Sequence, residues 1–112
     1  MPAERRDAPR IPYVLEAMLR NGERSFQPCK TRDISLNGVF VLTRDGMLRR
    51  SGAVELAVKM PQSGSNSIRR FHAQVVHASA EGVGLLFDHV NSQDYVPLVR
   101  LVFAKRKMPE SL

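Results

Sequence analysis

The sequence predicts a mainly β protein: a six-stranded antiparallel β-barrel with a C-terminal α-helix packed against it. Three observations support this fold class. Six short segments alternate apolar and polar residues with the period of a strand, turn signals such as Asn21 followed by Gly22 separate them, and the last segment changes to a helical period. Closure into a barrel is favoured because it removes the exposed edges that an open antiparallel sheet would leave.

Three strands are predicted in the first half of the chain. Alternation over residues 13–20 defines the first strand, and the Asn-Gly pair at 21–22 turns the chain back into a second strand at about 26–33. Pro28 in the second strand indicates a sheet edge or a bulge. The polar stretch "SLNG" then precedes a third strand at 39–42.

The second half supplies three more strands, at residues 54–60, 68–78 and 82–87, with a turn-rich loop at 61–67 between the first two. One face of each strand is apolar, and these faces predict the core. The predicted core residues are Tyr13, Leu15, Ala17, Leu19, Val54, Leu56, Val58, Met60, Phe71, Ala73, Val75, Val83, Leu85 and Phe87.

The final segment is predicted to be a helix because its apolar residues recur at three- and four-residue spacing. Ser92 or Asp94 is the expected N-cap, and Pro97 fits best in the first turn of a helix capped by Asp94. Cationic residues at 105–107 suit the negative end of the helix dipole. The predicted stripe is Tyr95, Leu98, Val99, Val102 and Phe103.

Composition limits the class of protein. The 112 residues suffice for one domain, divided by prediction into a flexible basic arm (1–11), the barrel with its helix (12–107) and a short tail (108–112). A net charge of +6 and a pI of about 10.2 favour an anionic partner: nucleic acid, nucleotide or acidic lipid. The single Cys29, expected to be a half-buried strand residue, and the lack of a signal-like or membrane-spanning apolar run predict a soluble cytoplasmic protein without membrane insertion.

Two polar stretches carry the candidate binding residues. In "DISLNG" (33–38), Asp33 and Ser35 lie two apart on a strand, so they share a face. Together they could read the donor edge of guanine, or they could only bond the backbone of a turn. In "ERRDAPR" (4–10), Arg5, Arg6 and Arg10 are guanidiniums that can grip phosphate or guanine, or can form a solvated basic tail.

Taken together, the two stretches resemble the PilZ domain family. Arg6 and Arg10 match an R-x-x-x-R motif at the start of a barrel sequence, and Asp33, Ser35 and Gly38 match a D-x-S-x-x-G motif after the first hairpin. The segment "FHAQVVHASAEGVGLLFDHV" (71–90) is similar to the family's fifth and sixth strands. The resemblance covers roughly residues 4–103, nearly the whole chain.

The resemblance implies a stand-alone, bacterial signal receiver that binds the second messenger cyclic di-GMP and needs no cofactor. By position, Arg6 and Arg10 would hold phosphate and guanine, Asp33 and Ser35 would bond guanine, and Gly38 would allow close approach. Arg5 resembles the extra arginine of members that hold a stacked pair of ligands. Ordering of the arm on binding would then transmit the signal to a downstream partner protein.

Other function classes find less support in the sequence. No catalytic role is expected, and His72 and His77, an odd number apart on one strand, are predicted to face opposite sides instead of forming a metal site. A nucleic-acid-binding barrel would need aromatic residues among its charges, but Phe71, Phe87, Tyr95 and Phe103 are predicted to lie in the core. An adaptor of the same fold with little nucleotide binding stays open, with residues 44–52 and the basic helix end as docking candidates.

Overall fold

The structure is a computed structural model that describes residues 10–22, 24–43, 52–62 and 65–107. The described residues form one helix, α1 (Ser92–Lys107), and seven strands. The strands are β1 (Ile11–Pro12), β2 (Glu16–Asn21), β3 (Gln27–Ile34), β4 (Gly38–Leu42), β5 (Ala53–Gln62), β6 (Ser65–Ala78) and β7 (Gly82–Phe87). The predicted docking segment at 44–52 lies outside the described residues except for Gly52.

The sheet closes into the predicted barrel. Its order is β3-β2-β5-β6-β7-β4, and an additional pairing between β4 and β3 completes the circle of six antiparallel strands. The extra strand β1 pairs with the last two residues of β3, along the same edge that β2 pairs with earlier in β3. The fold class is therefore confirmed, with one short strand that the sequence pattern did not predict, because two residues cannot display an alternation.

The predicted core faces are confirmed. Leu56, Val58 and Ala73 are fully buried, and all but two of the predicted core residues have little exposure. Tyr13 and Phe87 are partly exposed but pack against the same core, where Phe87 stacks on Phe71 with ring centroids 4.8 Å apart. Alternation identified these faces because each barrel strand has one side towards the core and one towards solvent.

The loop predicted at 61–67 is wrong in extent. β5 and β6 continue their pairing through Pro61↔Asn66 and Gln62↔Ser65, so the ladder reaches almost to the tip of this hairpin. Strand pairing needs only backbone groups, so this part of the ladder gives no apolar pattern that could mark it as a strand.

Two irregularities change the side-chain directions near the ends of strands. The register of β3 against β4 shifts between Thr31 and Asp33, and that of β6 against β7 shifts between Val75 and His77. Because a bulge inserts an extra residue, it reverses the alternation beyond it. His77 therefore lies exposed on the outer surface like His72, and the prediction that they face opposite sides is wrong.

The helix begins differently from the prediction. α1 starts at Ser92, and the Asn91 carbonyl accepts bonds from the amides of the first turn, so Pro97 lies in the second turn. Proline there removes the N–H that would bond to the Gln93 carbonyl. Arg69 of β6 supplies a substitute, since its Nη1 donates to the Gln93 oxygen at 3.2 Å. This bond offsets the missing helix bond and ties α1 to the barrel.

Only part of the predicted apolar stripe of α1 is buried. Of its residues, Leu98 and Val102 reach the core, whereas Tyr95 and Phe103 are 37% and 46% exposed. Leu101, which was not part of the predicted stripe, is buried as well. The buried face of the helix is therefore shifted towards Leu101 relative to the predicted stripe, and the expectation that Tyr95 and Phe103 lie in the core is wrong. Within the described residues, no helix has both the length and the apolar character needed to cross a membrane.

Candidate functional site

The two predicted motifs meet on the outside of the barrel. Arg10 donates from Nε to Oδ1 of Asp33 at 2.9 Å, although 23 positions separate them in the chain. The short strand β1 explains the contact, because its pairing of Pro12 with Asp33 carries the preceding Arg10 to the end of β3. Arg5 and Arg6, the other predicted site residues of the arm, lie outside the described residues.

A second arginine, not predicted from the sequence as a site residue, shares this carboxylate. Arg32 donates from Nε to Oδ2 of Asp33 at 2.9 Å and from Nη1 to Oε1 of Glu81 at 3.0 Å. Its guanidinium lies over the ring of Phe40, 3.9 Å from the centroid. Strict alternation would place Arg32 and Asp33 on opposite faces, but the bulge in β3 lets both act on the outer surface.

The buried hydroxyl of Thr31 holds the chain segment that follows Arg10. Thr31 is fully buried, and its Oγ1 accepts from the Leu15 amide at 2.8 Å and donates to the Tyr13 carbonyl at 2.6 Å. These bonds, with the amide of Tyr13 donating to the Arg32 carbonyl, fasten residues 13–15 to β3. The chain is therefore anchored to the barrel at residues 13–15, a few positions after Arg10.

Ser35 forms the turn that follows β3. Its Oγ accepts from the amides of Asn37 and Gly38 at 3.1 and 3.2 Å, and it can donate to the Gly38 carbonyl at 3.3 Å. The residue is 2% exposed. Of the two interpretations left open for this motif, backbone bonding within a turn is what the structure gives for Ser35. Its role towards a ligand stays a prediction.

Gly38 is needed by the barrel itself. A Cβ at this position would stand 2.1 Å from the Leu85 carbonyl oxygen of β7, far inside contact distance. The close approach that glycine permits here is thus between two strands, β4 and β7. A further role of Gly38 in allowing a ligand to approach stays a prediction, as it does for Ser35.

A groove of about 950 Å³ lies beside these residues on the outer face of β4, β6 and β7. The side chains of Arg10 and Arg32 enter it about half exposed. Their guanidiniums can form charge-assisted bonds to phosphate or to the acceptor edge of a base. The lining residues are Arg10, Arg32, Ser35, Asn37, Gly38, Phe40, Val76, His77, Ser79, Ala80, Glu81, Gly84, Leu85 and Leu86.

The groove differs from a metal or nucleophilic site. Among the described residues, no three His, Cys, Asp or Glu side chains come together in a way that could hold a metal ion. Cys29 lies half-buried on β3 outside the groove, as predicted, and burial raises the pKa of its thiol from 9.0 to about 11. Metal binding and thiol chemistry therefore find no support in the groove among the residues that the structure describes.

The family model described as PilZ domain matches residues 4–104. No curated protein of similar sequence was found.

Three solved structures are similar in fold. The PilZ domain of YcgR from Escherichia coli, solved with c-di-GMP, has 21% identity and a TM-score of 0.72 over 92% of each chain. The PilZ domain of CeSA from a cellulose-synthesizing bacterium has 19% identity and a TM-score of 0.68 over 86% of this chain and 96% of that one. The Bacillus subtilis inhibitor of motility, MotI/DgrA, has 17% identity and a TM-score of 0.78 over 91% of this chain but about half (52%) of its own.

Proposed function

The chain belongs to the PilZ domain family, and on that premise we propose that it is a receptor that binds cyclic di-GMP in the groove beside Arg10 and Asp33. One observation carries the proposal: Arg10 Nε and Asp33 Oδ1 lie 2.9 Å apart. Residues of the two motifs that match the family's ligand-binding pattern thus share one surface. A neighbour of the same fold, the PilZ domain of YcgR, was solved with this ligand.

The proposed roles follow the chemistry of the ligand, which has two guanines and two phosphates. Arg6 and Arg10 hold phosphate and the acceptor edge of guanine, which suits bidentate guanidinium groups. Asp33 accepts from the N–H groups of guanine, while Ser35 and Gly38 keep the turn beside it in shape. Arg5 adds a cation that would favour a stacked pair of ligands, whose four negative charges need more than two arginines.

Signal transmission is proposed to follow from ordering of the arm. A ligand held by Arg6 and Arg10 on one side and Asp33 on the other would connect the arm that precedes β1 to the barrel. Fixing the backbone costs about 1–2 kcal/mol per residue, so several charge-assisted bonds must offset it. The resulting change of surface would be read by a partner protein. No catalytic step and no cofactor are part of this proposal.

Calorimetric titration with cyclic di-GMP tests the proposal. We expect the wild type to release or absorb measurable heat and Arg10→Ala to raise Kd about 10-fold or more, since one charge-assisted bond contributes about 1.5–3 kcal/mol. The double variant Arg6→Ala with Arg10→Ala should weaken binding further. Arg100→Ala, which removes an exposed arginine of α1 outside the groove, is the matched control.

The outcomes separate the candidate functions. A wild type without heat at about 100 µM ligand, or an Arg10→Ala variant that binds as well as Arg100→Ala does, would overturn the receptor proposal or its site.

The second candidate is an adaptor of the same fold, and one observation favours it: Val96 and Phe103 expose apolar surface on the solvent side of α1, at 47% and 46%. A folded protein without ligand heat would favour that candidate.

A further inference from the structure

Two turns of similar sequence border the groove. "DISLNG" (33–38) precedes β4, and "HASAEG" (77–82) joins β6 to β7 with the same serine-to-glycine spacing. In the second turn the Ser79 amide donates to the Gly82 carbonyl at 2.9 Å, just as the Ser35 amide donates to the Gly38 carbonyl at 2.8 Å. Because β4 and β7 run antiparallel, with Gly38 opposite Leu86 and Leu42 opposite Gly82, the two turns lie at opposite ends of this ladder.

One guanidinium connects the two turns. Arg32 donates to Asp33 of the first turn at 2.9 Å and to Glu81 of the second at 3.0 Å. The guanidinium packs on the ring of Phe40, in the strand between the turns, with its Cζ 3.9 Å from the ring centroid. Arg32 therefore lies across the groove, with the carboxylate of Glu81 bound at the position where an anionic ligand group would meet it.

The charges of the groove are balanced in this arrangement. Among the described residues that line or contact it, the two arginines Arg10 and Arg32 are opposed by Asp33 and Glu81. A dianion gains little from such a surface unless one carboxylate leaves it. The Asp33 side chain is 15% exposed and bonded to two arginines, whereas the Glu81 side chain is 68% exposed and bonded to Arg32. Glu81 is therefore the carboxylate that is released at lower cost.

We propose that Arg32 is a further ligand-binding residue of this site, and that a phosphate of the ligand replaces the Glu81 carboxylate at Arg32 Nη1. The inference rests on the proposed function, because it names a residue of the same groove outside both motifs. On exchange, the side chain of Glu81 turns into water and Arg32 keeps its contacts with Phe40 and Asp33. Glu81 thus lowers the affinity of the free protein for the ligand.

Variants that replace a charged side chain of this ion pair with glutamine test the exchange. Glu81→Gln removes the competing carboxylate, and we expect it to lower Kd for cyclic di-GMP about two- to fivefold, the size of an exposed ion pair. Arg32→Gln removes the cation and should raise Kd about 10-fold or more. In the Arg32→Gln background, Glu81→Gln should have no further effect, because the two residues act through one contact.

A matched control separates this exchange from general electrostatics. Glu16→Gln changes the net charge by the same amount at an exposed pair with Lys59, whose Nζ lies 3.6 Å from Oε1, outside the groove. We expect it to leave Kd unchanged. Should Arg32→Gln fail to fold, as circular dichroism would reveal, Arg32→Lys keeps the charge but loses the forked donors, and it should still weaken binding.

Calorimetry with cyclic di-GMP on this set decides the matter. A Glu81→Gln variant that binds like wild type or like Glu16→Gln would overturn the exchange. Equal tightening by Glu81→Gln in the presence and absence of Arg32 would also overturn it, because the effect would then be long-range charge alone. A wild type that gives no heat overturns the receptor proposal and this inference with it, whereas a binding wild type unaffected by Glu81→Gln overturns only the inference.

Discussion

Removing the hydroxyl of Thr31 tests how the barrel holds residues 13–15, the segment that follows Arg10. Thr31→Val keeps the volume of the side chain but removes both hydrogen bonds of Oγ1, to the Leu15 amide at 2.8 Å and to the Tyr13 carbonyl at 2.6 Å. Thr31 is fully buried and Leu15 is 7% exposed, so water cannot easily replace the lost acceptor. No cavity is created, and the loss of polar contacts is therefore the main effect.

The size of the effect follows from those contacts. A buried donor left without its acceptor costs about 1–3 kcal/mol, and the second lost bond adds about 1 kcal/mol. The better transfer of a methyl group into the core offsets about 1 kcal/mol. We therefore expect the free energy of unfolding of Thr31→Val to fall by about 2 kcal/mol, which at a typical urea dependence lowers the midpoint by about 1 M.

Urea unfolding followed by far-ultraviolet circular dichroism measures this change, since the chain has no tryptophan to report by fluorescence. Thr43→Val is the matched control, because it makes the same chemical change at a partly exposed residue just after β4. We expect its midpoint to move by less than about 0.3 M. Equal midpoints for the two variants would refute the assignment of Thr31 as the anchor of residues 13–15.

Two further predictions concern the strands around the groove. Gly38→Ala should lower the melting temperature by several degrees, because its Cβ would stand 2.1 Å from the Leu85 carbonyl oxygen. Gly84→Ala is the control and should be tolerated, since its Cβ would have no neighbour nearer than 3.4 Å. Equal melting temperatures for the two variants would contradict this packing. Burial raises the pKa of Cys29 from 9.0 to about 11, so its thiolate fraction at pH 8 should be about 100-fold lower. Its reaction with an aromatic disulfide should therefore be much slower in the folded protein than in urea, and it should accelerate with pH up to about pH 11. Similar rates in both states would show that the thiol is accessible and its pKa ordinary.

The strands of the barrel were predictable because each has one face in the core. Leu56, Val58 and the other inner residues repeat at every second position, and burial imposes that repeat directly on the sequence. The ends of the elements were not predictable in the same way. Pairing beyond Met60 and the start of α1 at Ser92 depend on backbone bonds and on the contact from Arg69, which leave no apolar pattern.

The candidate site was predictable in its motif residues but not in its full set of charges. Arg10 and Asp33 could be linked from the sequence because both match one family pattern, although the strand pairing that joins them spans two residues. Arg32 could not be found, because a bulge reverses the alternation that would have assigned its direction. Glu81 was missed for a related reason, since its part in the groove depends on Arg32 reaching across β4.

The residues of the two motifs do not carry equal weight in a test of function. Ser35 and Gly38 are already required by the fold, one for the turn and the other for the contact between β4 and β7. Variants at either would lower stability and ligand binding together, so a loss of binding there would not identify a binding site. Arg10 is different, because its one described polar contact is an ion pair on the surface, which contributes little to stability. A loss of binding without a loss of stability at Arg10 would therefore locate the ligand.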